Sequence, residues 1–265
     1  MPVSYDYYVK GQSFFHKLDP RAKLVWVFIL LILSVTFNHP LYLGIIFAAI
    51  LLVAILSKLP LKRLWLFSKA SIYFSIIAVI LWSIFVRHGN ILVEFGMLKL
   101  TDRGMLLGLG FGFRISLLMF AVVVVLMTTK QKDLITGLAM MKVPYPVVFI
   151  LASGLRFIPA LTGEIITIRE AQEVRGLEFS KGGIIERLKK FYALGGPLIS
   201  RILKISTELS LAMDARAYDP AFKKRTFYGR PNLTGRDIMF IGVNIAFLAI
   251  GLVLSWMGYG VIPYL

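Results

Sequence analysis

The chain has 265 residues, of which 58% are hydrophobic, and its formal net charge is +16. Soluble domains contain roughly 45–50% apolar residues, so this composition argues against an ordinary soluble domain and indicates a membrane protein. Cysteine is absent and the three histidines lie far apart, so we expect no disulfide, no metal site, no cysteine nucleophile and no cofactor.

The first apolar stretch runs from Lys23 to Lys58 without an intervening Lys, Arg, Asp or Glu. A stretch of this length holds two membrane helices of about 17–20 residues when a turn divides it. Asn38-His-Pro40 predicts that turn, because proline breaks a helix and moves the preceding residue out of the α region. We therefore predict a hairpin of two spans, at 23–37 and 41–57.

Three later apolar segments predict further spans, at 64–86, 104–129 and 237–258. The predicted fold is an all-α integral membrane protein with about five transmembrane helices and amphipathic cytoplasmic coupling helices between spans four and five. The predicted divisions are an N-terminal membrane domain at 1–129, a cytoplasmic coupling-helix region at 130–236 and a C-terminal transmembrane helix at 237–265.

Basic residues are unevenly distributed, with four in residues 1–23, four in 58–69 and eighteen in 130–236. The positive-inside rule therefore predicts a cell-membrane protein whose N-terminus and 130–236 region are cytoplasmic. Nucleic-acid binding is the alternative for so basic a chain. Membrane orientation and attraction to anionic lipid of the bilayer account for the charge, so we expect no nucleic-acid partner.

Arg114 lies in the middle of the fourth predicted span, where an ionisable residue is costly and suggests either function or pairing inside the bundle. No carboxylate lies in the middle of a predicted span to form a proton relay with Arg114, which favours pairing. The neighbouring Gly108-Leu-Gly-Phe-Gly112 favours close helix packing over a nucleotide-binding loop, since no strand precedes it.

Between spans four and five, we predict a short amphipathic helix over 132–141, followed by an apolar segment, 147–161. Pro159 is expected to kink a helix or to start one. Two amphipathic helices follow, over 161–179 and 197–217, joined by a basic linker over 181–190. Apolar residues recur every three or four positions in both helices.

Both of these helices end in versions of one phrase, Ala171-Gln-Glu-Val-Arg-Gly176 and Ala212-Met-Asp-Ala-Arg-Ala217. An arginine at a helix C-terminus interacts favourably with the helix dipole, by up to about 1 kcal/mol, which alone would account for either arginine. The repetition, the acid two positions earlier and the small neighbours instead favour docking, because a guanidinium can bind a partner carboxylate through two hydrogen bonds. The predicted docking residues are Arg175 and Arg216, with Ala171, Glu173, Gly176, Ala212, Asp214, Ala215 and Ala217.

Four parts of the chain resemble, in order, the transmembrane T component (EcfT) of energy-coupling-factor (ECF) transporters. Phe15-His-Lys-Leu-Asp-Pro-Arg-Ala-Lys-Leu24 is similar to the start of the family's first helix. Val143-Pro-Tyr-Pro146 and Arg156-Phe-Ile-Pro159 are similar to the segment before its cytoplasmic helices. The two arginine phrases resemble its paired Ala-Arg-Gly motifs, with Val174 in place of alanine and Ala217 in place of glycine.

The resemblance implies a non-catalytic coupling subunit of an ECF-type ABC importer for micronutrients, either vitamins or metal ions. It implies that two ABC-type ATPase subunits, as a heterodimer or a homodimer, dock at the helix ends, one on Arg175 and the other on Arg216. A substrate-binding membrane subunit, the S component, is the third partner that it implies.

Two other classes of function stay open from the residues. A conventional ABC permease would carry one longer cytoplasmic loop with a Glu-Ala-Ala pattern and a distant glycine, which this sequence lacks. A membrane-bound enzyme would need convergent carboxylates, histidines or a nucleophile near the lipid boundary. The acids between Glu164 and Glu186 could be recruited for that purpose, but their spacing is typical of a solvated helix face.

Overall fold

The computed structural model describes residues 8–86, 91–95, 98–177, 179, 183–219 and 233–260. These residues form two compact units, a membrane unit, Met1–Met141 with Gly229–Leu265, and a helix-pair unit, Lys142–Tyr228. In chain order, the elements are α1 (Phe14–Lys17), α2 (Pro20–Thr36), α3 (Pro40–Leu56), α4 (Leu61–Phe85), β1 (Ile91–Phe95), β2 (Leu98–Thr101), α5 (Asp102–Thr128), α6 (Gln131–Met140), α7 (Tyr145–Val174), α8 (Ile184–Asp214) and α9 (Gly235–Trp256).

The predicted all-α membrane fold is confirmed. The five predicted spans correspond to α2, α3, α4, α5 and α9, and no boundary differs from its prediction by more than three residues. Within the described residues, the helices long and apolar enough to cross a membrane are α4 (over 62–83), α5, α7 and α9, while α3 is a shorter apolar helix. The cytoplasmic location of α7 therefore remains a prediction.

Polar groups at the start of α2 connect this helix to the start of α9. The Asp19 carboxylate caps α2 by accepting from the Arg21 N–H at 2.8 Å. The Asp19 N–H in turn donates to Oδ1 of the buried Asp237 at 2.8 Å, and Oδ2 of Asp237 accepts from the Thr234 N–H at 2.8 Å, which completes the capping box of α9. One carboxylate, Asp237, therefore serves both the first and the last membrane helix.

Lys23, one turn into α2, is only 1% exposed. Its ammonium donates to the Thr128 carbonyl at 3.1 Å and to the Thr129 hydroxyl at 2.8 Å. These are the last groups of α5, so Lys23 satisfies a helix C-terminus that would otherwise leave unpaired carbonyls. A residue predicted to mark the edge of the first span is thus a buried contact between two helices.

Arg114 binds the other end of α2. Its guanidinium donates to the carbonyls of Ser34 at 2.6 Å and Phe37 at 2.9 Å, and to Oδ1 of Asn38 at 2.6 Å. The Asn38 N–H donates to the Gly260 carbonyl, beyond α9, at 3.0 Å. The pairing interpretation of Arg114 is therefore correct, because the cation caps the α2–α3 turn within the membrane unit.

The close approach of α4 and α5 depends on small residues at every fourth position. A Cβ atom at Gly108 would lie 2.6 Å from the Cα atom of Val79, and one at Gly112 would lie 2.8 Å from the Cβ atom of Ser75. The hydroxyl of Ser116, four residues further on, accepts a hydrogen bond from Ser71. Small residues let helix backbones approach in lipid, where the hydrophobic effect does not drive helices together.

The loop predicted between spans three and four contains a short antiparallel pair, β1 with β2, in which Glu94 is opposite Lys99 and Phe95 is opposite Leu98. The sequence analysis did not predict these strands.

In the helix-pair unit, α7 and α8 both start earlier than predicted. Pro159 lies inside α7 and Pro197 lies inside α8, and residues 184–190 of the predicted linker are helical. A proline removes one backbone hydrogen bond and costs about 3 kcal/mol in a helix interior. The helical turns before and after each proline keep their hydrogen bonds, so both helices continue in spite of that cost.

We expect Gly108→Val to destabilise the membrane unit, because the new side chain would collide with the backbone of α4. Overpacking of this kind costs about 1–3 kcal/mol, which would lower the midpoint of thermal unfolding in detergent. Gly242→Val is the matched control, since a Cβ atom at Gly242 in α9 would meet nothing within 4 Å. Equal unfolding midpoints for the two variants would contradict the close approach of α4 and α5.

Candidate docking sites at the ends of two helices

Helices α7 and α8 lie antiparallel. Near the start of α7, the ring centroids of Tyr145 and Tyr218 are 6.3 Å apart, and Tyr218 comes just after the end of α8. In the middle of both helices, Glu164 of α7 contacts Arg201 of α8. A helix of 30 residues is about 45 Å long, so the C-terminal ends of α7 and α8 are far apart, at opposite ends of the pair.

The contact between Glu164 and Arg201 fixes the register of the two helices. Oε1 of Glu164 accepts from Nε of Arg201 at 2.9 Å, and a terminal guanidinium nitrogen lies 2.8 Å from the same oxygen. The hydrogen bond from Arg201 to Glu164 raises the pKa of that guanidinium. The sequence analysis assigned Glu164 to a solvated helix face and did not pair it with Arg201.

The two helices end in the same backbone geometry. At the end of α7, the Gly176 N–H donates to the Glu173 carbonyl and the Leu177 N–H to the Gln172 carbonyl, both at 3.0 Å. Gly176 has φ +89°, in the left-handed region. This arrangement is a Schellman motif, in which two N–H groups beyond the helix satisfy carbonyls of its last turn.

At the end of α8, the Ala217 N–H donates to the Asp214 carbonyl at 2.9 Å and the Tyr218 N–H donates to the Met213 carbonyl at 3.0 Å. Ala217 has φ +51°, so an alanine adopts the conformation that glycine adopts at position 176. Arg175 and Arg216 each come directly before the left-handed residue. The two arginine phrases therefore place their guanidinium groups on equivalent backbone positions.

The structure groups the predicted docking residues into two separate sets, one at each helix end. All are exposed, and within the described residues neither arginine forms a hydrogen bond or an ion pair with another side chain. Glu173 instead pairs with Arg169, at 2.8 Å, one turn earlier in α7. The two sets are Ala171, Glu173, Arg175 and Gly176 on α7, and Ala212, Asp214, Ala215, Arg216 and Ala217 at the end of α8.

Arg216 borders a cleft of about 520 Å³ between the helices, whose lining includes Arg156 and Leu209. On one side of the cleft, Tyr218 contacts Phe149, with ring centroids 5.3 Å apart, as well as Tyr145. The motif Val143-Pro-Tyr-Pro146 marked this segment in the sequence, but local patterns could not show that it meets the end of α8.

The described residues include no group of three or more His, Asp or Glu side chains arranged to hold a metal ion. The exposed cations and acids of the helix ends are suited to binding another protein's polar groups.

The chain matches the family described as CbiQ, cobalt transport protein, over residues 11–228. Its relatives include the energy-coupling factor transporter transmembrane protein EcfT of Staphylococcus aureus (strain 04-02981), which is 35% identical over 95% of this chain and 96% of its own length. EcfT of Streptococcus thermophilus is 31% identical over 94% and 96% of the two chains. EcfT of Bacillus subtilis (strain 168) is 29% identical over 91% and 94%.

We expect Ala217→Gly to stabilise the end of α8 and Gly176→Ala to destabilise the end of α7. A left-handed conformation costs a residue with a Cβ atom about 1–2 kcal/mol, and glycine avoids that cost. Hydrogen exchange of the Tyr218 amide should slow in Ala217→Gly, and that of the Leu177 amide should accelerate in Gly176→Ala.

Gly163→Ala is the control, because Gly163 lies inside α7 and a Cβ atom there would meet nothing within 4 Å. Exchange at both helix ends should be unchanged in this variant. Faster exchange of Tyr218 in Ala217→Gly would contradict the assigned geometry.

Proposed function

This chain belongs to the CbiQ family of cobalt transport proteins, with the EcfT transmembrane proteins among its relatives, and from that premise we propose that it couples two ATPase subunits to a substrate-binding subunit. In this role, the chain transmits the ATP-driven movement of its partners and carries out no chemistry. The sequence contains no Gly-x-x-x-x-Gly-Lys-Ser/Thr loop to hold phosphates, which supports hydrolysis in the partner subunits.

The observation that carries the proposal is that α7 and α8 end in the same backbone geometry, each with an exposed arginine. Because the helices are antiparallel, these two C-terminal ends lie at opposite ends of the pair. One such helix end would be enough to bind a single partner molecule. Two ends with the same Schellman geometry, separated by about the length of a 30-residue helix, suit two related partners that each receive one arginine. We therefore assign Arg175 to one ATPase and Arg216 to the other.

Each arginine is suited to bind a carboxylate on its ATPase. Its planar guanidinium can donate two parallel hydrogen bonds, and the small residues around it allow a helix end to enter a groove. Arg175 and Arg216 have no polar side-chain partner within the described residues, so no internal contact has to break when the complex forms.

An aromatic cleft lies beside Arg216, with Tyr145, Phe149 and Tyr218 in its lining. Aromatic rings also lie near the end of α7, where Phe179 contacts Phe191 and Arg169. Both helix ends therefore offer apolar surface near an arginine, which suits either a heterodimer or a homodimer of ATPases.

The substrate in this proposal is a micronutrient, either a vitamin or a metal ion, and it is selected by the S component. The chain belongs to the cell membrane, with its N-terminus and the helix-pair unit on the cytoplasmic side. The eighteen basic residues of 130–236 support this orientation. An alternative orientation arises if α7, which is long and apolar enough, crosses the membrane.

The proposed orientation predicts which introduced cysteines react from outside the cell. Tyr259→Cys, near the exposed C-terminal end of α9, should react with an impermeant maleimide in intact cells. Ser206→Cys, exposed on α8, should react only after permeabilisation. The absence of native cysteine removes the background signal.

A membrane-spanning α7 would reverse both results, because one additional span places α8 outside and the C-terminus inside. Labelling of Ser206→Cys in intact cells would therefore disprove the proposed orientation.

Charge reversal at the two arginines tests the docking proposal. Loss of one partner of a buried charge pair costs roughly 2–5 kcal/mol at that contact. Arg175→Glu and Arg216→Glu should each weaken the hold on a different ATPase, and the double variant should lose both ATPases in detergent together with ATP-driven uptake in liposomes.

The matched control is Lys132→Glu with Lys204→Glu, which reverses the charge of two exposed lysines that are far from the C-terminal ends of α7 and α8. This control should retain both ATPases. If the double arginine variant also retained them, with normal uptake, the arginines would serve only as helix caps and the proposal would fail.

A further inference from the structure

An apolar groove of about 480 Å³ opens on the surface of the membrane unit between α3, α4 and α5. Its lining includes Leu51 and Ile55 of α3, Trp65 of α4 and Phe120 of α5, together with the polar residues Lys62 and Ser68. Ile55 is 65% exposed and Trp65 is 59% exposed, so the walls open outward and not into the helical core. The groove lies beside the turn that joins the C-terminal end of α3 to the N-terminal end of α4.

Lys62 lines the groove, and three more exposed basic residues lie close to it in the chain. Lys58 is in the turn after α3, Lys62 and Arg63 are in the first turn of α4, and Lys69 lies 6.0 Å from the ring centroid of Trp65. The sequence contains no Asp or Glu from residue 20 to residue 93, so neither helix offers these cations an acidic partner. The groove is therefore apolar, and α3, α4 and the turn between them bring only positive charge to its end.

The first turn of α4 adds to this positive potential. Its N-cap is Pro60, which provides no side-chain hydrogen bond, and the first turn contains no acidic residue. The N-terminal end of a helix carries a partial positive charge and favours anions.

We propose that this groove binds an anionic phospholipid, with an acyl chain along Ile55, Trp65 and Phe120 and the phosphate beside Lys58, Lys62 and Arg63. An apolar channel ending in a basic cluster matches a ligand with a hydrocarbon tail and a negatively charged head. A zwitterionic lipid fits less well, because no acid is available in 20–93 for its cationic group.

The lipid belongs to the leaflet on the same side as the N-terminus, since α2 and α3 form a hairpin. Under the orientation proposed above, that leaflet is the cytoplasmic one. Binding itself does not depend on that orientation or on ATPase docking, so a test in detergent remains valid if either of those proposals fails.

The test uses the full-length chain in mixed micelles that contain equimolar phosphatidylglycerol and phosphatidylcholine, with bound lipid identified by native mass spectrometry. The unmodified chain should retain phosphatidylglycerol preferentially. Lys58→Gln with Lys62→Gln and Arg63→Gln should reduce that preference by about tenfold or more, because each basic residue contributes to attraction of an anionic headgroup.

A charge-matched control replaces three other exposed lysines of the same unit, Lys10, Lys17 and Lys132, by glutamine. It should keep the preference for phosphatidylglycerol. An unchanged preference in the first triple variant, or an equal loss in the control, would overturn the proposal.

Ser68→Phe tests the apolar part of the site without changing its charge. A phenyl ring should fill the groove and reduce the binding of both lipids, whereas unchanged binding would show that no acyl chain occupies it. Thermal unfolding of each variant establishes that the lost lipid does not reflect a lost fold.

Two further measurements distinguish a bound lipid from other occupants of the groove. Inorganic phosphate in large excess should not displace phosphatidylglycerol, and displacement would show a phosphate site without a lipid tail. A photoreactive benzoylphenylalanine at Ile55 should capture phospholipid in native membranes, and capture of a protein in its place would contradict the proposal.

Discussion

Hydrogen bonds at both ends of α2 hold the membrane unit in its observed topology. Asp237 joins the start of α2 to the start of α9. At the other end of α2, Arg114 donates to the Phe37 carbonyl, and the Gly260 carbonyl accepts from the Asn38 N–H. Helices in lipid gain little from the hydrophobic effect against one another, and unsatisfied polar groups there are costly. These contacts therefore specify how α9, which is separated from the other spans by more than a hundred residues, returns to pack beside α2.

The helix-pair unit uses its polar groups in a different way. Glu164 and Arg201 satisfy each other and align α7 with α8, while Arg175 and Arg216 stay exposed at the two ends. The two helices thus leave their terminal arginines accessible, which is what the proposed docking requires. The left-handed residue after each arginine ends the helix sharply and leaves the guanidinium at its tip.

The net charge of +16 therefore includes cations with different physical roles. Lys23 and Arg114 are internal and satisfy carbonyls at helix ends. Arg175 and Arg216 are exposed at the ends of α7 and α8, and Lys58, Lys62 and Arg63 are exposed around the turn between α3 and α4. Composition cannot separate these roles, because each depends on what surrounds the cation and not on its residue type.

The sequence by itself determined the apolar helices α2, α3, α4, α5 and α9, because a long apolar run has to be buried in lipid or protein whatever its neighbours are. It also determined the two arginine phrases and the family, which depend on residues close together in the chain. The tertiary structure alone decided that α7 and α8 continue through Pro159 and Pro197, and that they lie antiparallel with their arginines at opposite ends. It likewise decided that Lys23 and Arg114 cap other helices and that Ala217 adopts a conformation typical of glycine. The helix and capping contacts join groups distant in sequence, and Ala217 takes a backbone conformation that alanine rarely adopts, so no local pattern encodes them.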